Sequence, residues 1–197
     1  MGRREEHSQR TPRVLNETEK KRLLSKPNPK APTGLRNLCI LKLILETGVR
    51  LSELTALKNQ DVDLSAGEIR IKTGDKERTL QINNALLDIL KKWNDRKPRT
   101  SSPYFFSTLK GGKLDERYIR EMINRLAQKT GIQKSVSPQT LRHTFAFDLY
   151  KQTRNISLVQ KALGHMNLSS TMVYAYMVEK EEEEEGMQFF RPVQASA

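Results

Sequence analysis

A chain of 197 residues with 36% hydrophobic and 29% charged side chains can bury the core of one domain, which excludes a wholly disordered polypeptide. Nowhere do roughly 18 apolar residues run together, and the charged start (Met1 to Glu6) leads into no apolar stretch, so neither a membrane helix nor an export signal is predicted and a cytoplasmic protein is expected. The single cysteine, Cys39, excludes an intrachain disulfide, and with three widely spaced histidines (His7, His143, His165) a zinc site lacks ligands. Thirty-five Lys and Arg against 23 Asp and Glu leave a net charge of +12, unevenly spread. Residues 179–197 hold six acids and two bases, so residues 1–178 carry 33 bases against 17 acids. That excess predicts a polyanionic partner, nucleic acid ahead of an anionic membrane, with a basic surface tuned for solubility as the plainer alternative.

Residues 1–12 are polar and without period and read as a flexible lead-in. Asn16 with Glu19 predicts a capping box that opens a short helix through Leu24, and Pro27, Pro29 and Pro32 then break it. Thr33 is read as the cap of the next helix, where Leu35, Leu38, Ile40, Leu41, Leu43, Ile44 and Leu45 leave almost no polar face. That helix belongs at the centre, with Gly48 as its stop. A second short helix (Leu51 to Leu57) precedes three alternating runs, Asp61 to Leu64, Glu68 to Lys72 and Arg78 to Ile82. With a turn at Thr73-Gly74-Asp75 they predict a small antiparallel sheet. Helices follow at about Ala85 to Trp93, Asp115 to Thr130, Pro138 to Lys151, Ser157 to Leu163 and Ser169 to Val178, interrupted by a strand or turn at Tyr104 to Phe106. The expected fold class is mainly α with a small antiparallel β-sheet (α+β). Glu181 to Glu185 is low-complexity and reads as a solvated helix face or an irregular run.

Pro138 suits a first helical turn, and Gln139, Arg142 and His143 then share one face at i, i+3 and i+4. Alone, such a trio is an ordinary helix surface, and Arg50 is an ordinary arginine. In order, however, the segments Thr47-Gly-Val-Arg-Leu-Ser-Glu-Leu54, Ile71-Lys-Thr-Gly-Asp-Lys-Glu-Arg78, Ser137-Pro-Gln-Thr-Leu-Arg-His-Thr-Phe-Ala146 and Leu163-Gly-His-Met-Asn-Leu-Ser-Ser-Thr-Met-Val-Tyr174 resemble the catalytic domain of the tyrosine recombinase, or phage integrase, family, in its Xer-like branch. The most specific element is Leu-Gly-His followed nine residues later by a tyrosine. The resemblance runs from about Val14 to Val178 and implies a catalytic domain over residues 13–178 with an acidic tail over 179–197.

By that resemblance Arg50 and Arg142 clamp a scissile phosphate, Lys72 is the hairpin lysine acting as general acid, His165 lies near the nucleophile, and Tyr174 attacks phosphorus. A 3′-phosphotyrosine forms and a 5′ hydroxyl leaves, with no metal, cofactor or ATP. The chemistry suits these residue types. Bidentate guanidinium donors offset charge that builds on the nonbridging oxygens, and a phenol of pKa near 10 needs nearby positive charge to ionise. The implied partner is double-stranded DNA, the implied assembly a homotetramer on it, and the implied location the cytoplasm, at the nucleoid when bound. A catalytically weak or inactive DNA-binding module, and a topoisomerase- or resolvase-like DNA-relaxing enzyme, are the alternatives.

Several assignments stay open within the resemblance. Tyr176 is read as a packing residue beside Tyr174. Lys76 rivals Lys72, because the stretch to Arg78 is one residue longer than the usual glycine-lysine-glycine form. Glu53 is read as a partner that orients Arg50, and His143 as a packing histidine in the wrong register for catalysis. Gln139 departs from the family, whose members usually carry histidine or lysine there. An amide donates a hydrogen bond to phosphate but exchanges no proton near neutral pH, so Gln139→His is expected to raise cleavage with little effect on DNA affinity. Relatives commonly carry a helical domain ahead of the catalytic one, forming a clamp around the duplex. With thirteen residues before Val14, half of that clamp is expected to be missing and binding to be weak and salt-sensitive. Phe189 and Phe190 are candidates for docking onto a neighbouring subunit.

Overall fold

The structure, a computed structural model, describes residues 11–189 except 75 and 166, and no side chain at 185 or 187–189. The docking expectation for Phe189 and Phe190 therefore lies outside what is described. Helix α1 (Glu17–Ser25) opens with the predicted capping box, the Asn16 side chain accepting from the Glu19 amide and Glu19 from the Asn16 amide, each at 2.9 Å. Helix α2 (Pro32–Thr47) starts differently from expectation. Pro32 takes the first helical position and Ala31 the cap without a side-chain hydrogen bond, which leaves Thr33 inside the first turn. Proline's fixed φ and missing N–H suit that position, so no capping hydroxyl is required.

Gly48 ends α2 at φ +64°, its amide donating to the Ile44 carbonyl at 2.9 Å. A Cβ there would stand 2.4 Å from Phe145 Cδ1, so the close approach needs glycine as much as the left-handed backbone does. Helix α3 (Leu51–Ala56) and a 3₁₀ turn (Asn59–Asp61) lead into an antiparallel meander of β1 (Val62–Asp63), β2 (Glu68–Thr73) and β3 (Lys76–Gln81). Its inner face presents Ile69, Ile71 and Leu80, while Arg70 and Lys72 point outward, Lys72 standing opposite Glu77. Helices α4 (Asn84–Arg96), α5 (Glu116–Gln128), α6 (Pro138–Thr153), α7 (Ile156–Leu163) and α8 (Ser169–Phe189) complete the chain. Between α4 and α5, Tyr104 makes a single bridge to Lys58, and the buried Trp93 indole donates to the Phe105 carbonyl at 3.0 Å. The mainly helical α+β architecture is thus as expected.

Two apolar clusters hold this together. The larger surrounds α2, whose Leu35, Ile40, Leu41, Leu43 and Ile44 pack chiefly against α4 and α6 in a cluster that also takes in side chains of α5 and the sheet. The smaller gathers Ala146, Phe147, Val159, Leu163, Tyr174 and Val178 between α6, α7 and α8. Each buried aliphatic side chain contributes roughly 1.5–3 kcal/mol, which makes α2 the dominant organiser and α8 a lighter contributor. Helix α8 does not stop at Val178. Glu181 pairs with Lys151, and Glu182 pairs with Arg154, whose Nη1 donates to Glu182 Oε2 at 3.0 Å, so the acidic run continues the helix along the end of α6. Among the described residues no helix is long and apolar enough to cross a membrane.

Candidate active site

The C-terminal turn of α7 organises the site. Gly164 adopts φ +62° and closes α7, exposing carbonyls that have no intrahelical partner at the negative end of the helix dipole. Two arginines from distant segments fill that need. Arg142 on α6 donates through Nη2 to the Leu163 carbonyl at 2.7 Å and through Nη1 to the Gly48 carbonyl that ends α2. Arg50, the N-cap residue of α3, donates through Nη2 to the Gly164 carbonyl at 3.1 Å. Burial, then the neighbouring Arg50 charge, pushes the Arg142 pKa down to about 10, so it stays cationic at neutral pH.

Glu53 holds Arg50 from the other side, accepting its backbone amide at 2.8 Å and Nη1 at 3.1 Å, as the sequence led us to expect. It also accepts both terminal nitrogens of Arg78, each at 2.8 Å, and the Thr73 hydroxyl at 2.9 Å. Burial alone would raise its pKa; the Arg78 hydrogen bonds and charge, with the Arg50 amide, outweigh that and hold it at about 2. Arg78 received no role from the sequence. The signal was present: β3 alternates, so Arg78 shares the inward face with Leu80, an unusual place for a guanidinium without a partner.

Arg50, Arg142, Gln139 and His165 line one cleft of about 350 Å³, together with Arg120, which pairs with Glu116 at 2.5 Å. The His165 Nδ1 lies 3.1 Å from the Thr171 hydroxyl. Burial, with Arg142 and Arg50 close by, pushes its pKa down to about 4, so the imidazole is neutral at pH 7. Four of the six residues singled out in the sequence therefore converge. Among the described residues no three His, Cys, Asp or Glu side chains come together to hold a metal ion.

The other two sit apart. Lys72 lines an adjoining depression with Glu53 and Arg70, and its ammonium stands 3.6 Å from the Glu77 carboxylate on the outer face of the hairpin. Tyr174 does not line the cleft but packs behind it at 2% exposure, with burial pushing its pKa up to about 12 against a lowering from Arg142. Tyr176, expected to be the packing residue, is 59% exposed. Positions two apart on a helix point roughly 200° away from each other, so packing Tyr174 inward turns Tyr176 out. His143 corrects a second expectation. It does more than fill space: its Nδ1 lies 2.7 Å from the Tyr174 hydroxyl, and its Nε2 lies 3.1 Å from the Gln139 amide. A chain of polar contacts thus runs from the cleft, through Gln139 and His143, to the buried phenol. Spacing along α6 could not reveal it, because the partner lies on another helix.

Residues 13–181 match the Phage integrase family. Tyrosine recombinase XerD of Listeria monocytogenes serotype 4b (strain F2365) is 32% identical over 177 residues, which cover 86% of this chain and 60% of the relative. The chain thus spans less than two thirds of that relative's length. The crystal structure of XerA recombinase superposes with a TM-score of 0.79 at 32% identity, covering 93% of this chain and 67% of that one. XerH site-specific recombinase, bound to its palindromic difH substrate in a post-cleavage complex, gives a TM-score of 0.79 at 28% identity, covering 92% and 54%.

Proposed function

The chain belongs to the phage integrase family, and from that premise we propose that residues 13–178 form the catalytic domain of a site-specific DNA recombinase, with residues 179–197 as an acidic tail. The observation that carries this reading is the convergence of Arg50, Arg142 and His165 on one cleft, one hydrogen-bonded relay away from Tyr174. Three guanidinium groups, Arg50, Arg78 and Arg142, surround the single carboxylate of Glu53, which leaves a net positive field suited to an anionic phosphodiester. The substrate is duplex DNA, bound by a homotetramer in the cytoplasm at the nucleoid. The family relative XerH, solved with its difH substrate, supports a DNA partner for this chain.

In the reaction Arg50 and Arg142 bind the nonbridging oxygens and offset charge in the transition state, and the neutral His165 donates a further hydrogen bond. The phenolic oxygen of Tyr174 attacks phosphorus, a 3′-phosphotyrosine forms, and the 5′ oxygen leaves with a proton from Lys72. A 5′ hydroxyl from another strand reverses the step, so no external energy source is consumed. With burial pushing its pKa up to about 12, Tyr174 needs its proton taken in the packed position before the phenolic oxygen turns into the cleft to attack.

That buried position favours a second reading, a DNA-binding module with little or no cleavage. A nicked suicide duplex distinguishes the two. A covalent protein–DNA adduct that Tyr174→Phe abolishes supports the recombinase reading, and strand exchange between two duplexes separates it from DNA relaxation. Absence of any adduct with a bound duplex supports the binding module.

A further inference from the structure

The contacts of His143 carry an assignment beyond the residues that line the cleft. Its ring sits between two polar partners, Tyr174 Oη at 2.7 Å and the Gln139 amide at 3.1 Å, and its plane is tilted 48° to that of the phenol. A buried phenol with no partner costs about 1–3 kcal/mol, so one hydrogen bond here is explained by stability alone. The second contact is not. Gln139 is exposed on the cleft, one helical turn before His143, and its amide has two chemically opposite ends that a half-turn interchanges.

The structure places the Gln139 NH₂ end toward Nε2, so that nitrogen accepts, the ring proton lies on Nδ1, and Nδ1 donates to the phenolic oxygen. With the carbonyl end inward, Nε2–H donates to Gln139 and Nδ1 presents a lone pair to the phenolic proton. We propose that His143 is the catalytic base for Tyr174, and that Gln139 is a positioning residue whose amide selects the imidazole tautomer able to take the proton. This rests on the reading of Tyr174 as the nucleophile.

The charged and titratable groups around His143 agree with it. Arg142 lies beside it on α6, Tyr174 faces it from α8 and His165 from beyond α7, and no carboxylate contributes to its titration. Burial, then Arg142, lowers its pKa, so the ring is neutral and available as an acceptor at pH 7. Once the Gln139 amide has turned its oxygen toward Nε2, the Tyr174 proton passes to Nδ1 and gives an imidazolium whose Nε2–H donates to that oxygen. The Tyr174 O–P bond forms while the P–O5′ bond breaks, and the 5′ oxygen takes a proton from Lys72. Religation returns both protons along the same routes.

The test is single-turnover adduct formation on nicked duplexes carrying either the ordinary 5′ oxygen or a 5′ bridging sulfur at the scissile link, across pH. Sulfur leaves without a proton, so it bypasses a general acid but not a base. His143→Asn keeps a polar contact to the phenol but cannot exchange a proton. It is expected to cleave about 10²-fold more slowly on both substrates, without the ascending imidazole limb of the wild-type pH profile. Lys72→Ala should recover on the sulfur substrate. Cleavage by His143→Asn within threefold of wild type, with an unchanged pH profile, overturns the assignment while leaving Tyr174 as nucleophile. No wild-type adduct, or an adduct that survives Tyr174→Phe, overturns the nucleophile reading and this assignment with it. Should His143→Asn fail to fold, Gln139→Leu at its exposed position carries the test. A roughly tenfold slower cleavage with a displaced pH limb supports the relay, and an unchanged rate and profile overturns it.

Discussion

Replacing Glu53 by Gln isolates the electrostatic work done by one carboxylate. In the folded chain that carboxylate is 4% exposed, accepts five hydrogen bonds and titrates at about 2 instead of the ordinary 4.5. At about 1.4 kcal/mol per unit the difference is on the order of 3 kcal/mol in favour of the charged form. Because the folded pKa lies below the unfolded one, this stabilisation is complete above pH 4.5 and is lost as pH falls towards 2. Glu53→Gln keeps the shape and removes the charge, so wild type and variant should differ by about 3 kcal/mol at neutral pH, or roughly 6–12 °C in Tm for a domain of this size. Paired urea and thermal melts at pH 7, 4.5 and 3 measure the gap, which should narrow markedly at the lowest pH. A gap below about 1 kcal/mol at pH 7, or one equal at pH 7 and pH 3, would refute the view that Glu53 is the ionic keystone between Arg50 and the hairpin.

Gln139→His should raise the rate of adduct formation with little change in duplex affinity, since an imidazole keeps an acceptor near His143 and adds a group that exchanges protons; an equal or lower rate in a suicide-substrate assay counts against this. Lys72→Ala should lose about 10²-fold or more in cleavage and Lys76→Ala much less, and the reverse order in single-turnover assays would move the general acid to the first residue of β3. Duplex binding should weaken on the order of 10³-fold between about 50 and 200 mM salt, as phosphate contacts release counterions, and a loss of less than tenfold in a titration series would exclude a phosphate-dominated footprint.

The elements most legible in the sequence are those whose signals are local. The Asn16–Glu19 capping box, the Gly48 and Gly164 stops, and the hairpin strands each depend on residues within one or two turns of the chain. Thr33 misled because two local signals, a hydroxyl cap and a first-turn proline, compete one residue apart, and Pro32 suits the helix start without help. The end of α8, predicted at Val178 with the glutamate run beyond it open between a helix face and disorder, is undecided in the sequence for a different reason. Five consecutive glutamates repel one another in isolation, and what tolerates them as helix is tertiary, the Lys151 and Arg154 side chains at the end of α6.

Within the site, four of the residues that line the cleft, Arg50, Gln139, Arg142 and His165, are legible from motif, while the geometry and the separate placement of Lys72 and Tyr174 are not. Arg50, Arg142 and His165 stand out by motif and do converge, yet what aims the two arginines are backbone carbonyls as far as 114 positions away, which no side-chain pattern encodes. Arg78 and His143 were passed over for the complementary reason. Each lies inside a segment whose motif points to another residue, and each has its partner on a different element, Glu53 on α3 and Tyr174 on α8. Tyr174 itself was chosen over Tyr176 by its distance from His165, and the inward turn of α8 at that position was invisible until its packing partners, Leu163 and Val159, were known.

The use of arginine at position 142 follows from the double duty imposed by this architecture. Two of its nitrogens are engaged by the carbonyls of Gly48 and Leu163, which lock the ends of α2 and α7 together. A guanidinium has five N–H donors in a rigid plane, so donors remain for an anion in the cleft after both carbonyls are met. An ammonium offers three donors at one point and could not span the two carbonyls and still reach a phosphate. The same turn of α7 that receives Arg142 receives Arg50 through Gly164 and leads into His165 and α8. Both arginines and the helix bearing Tyr174 therefore share one anchor, the C-terminal turn of α7.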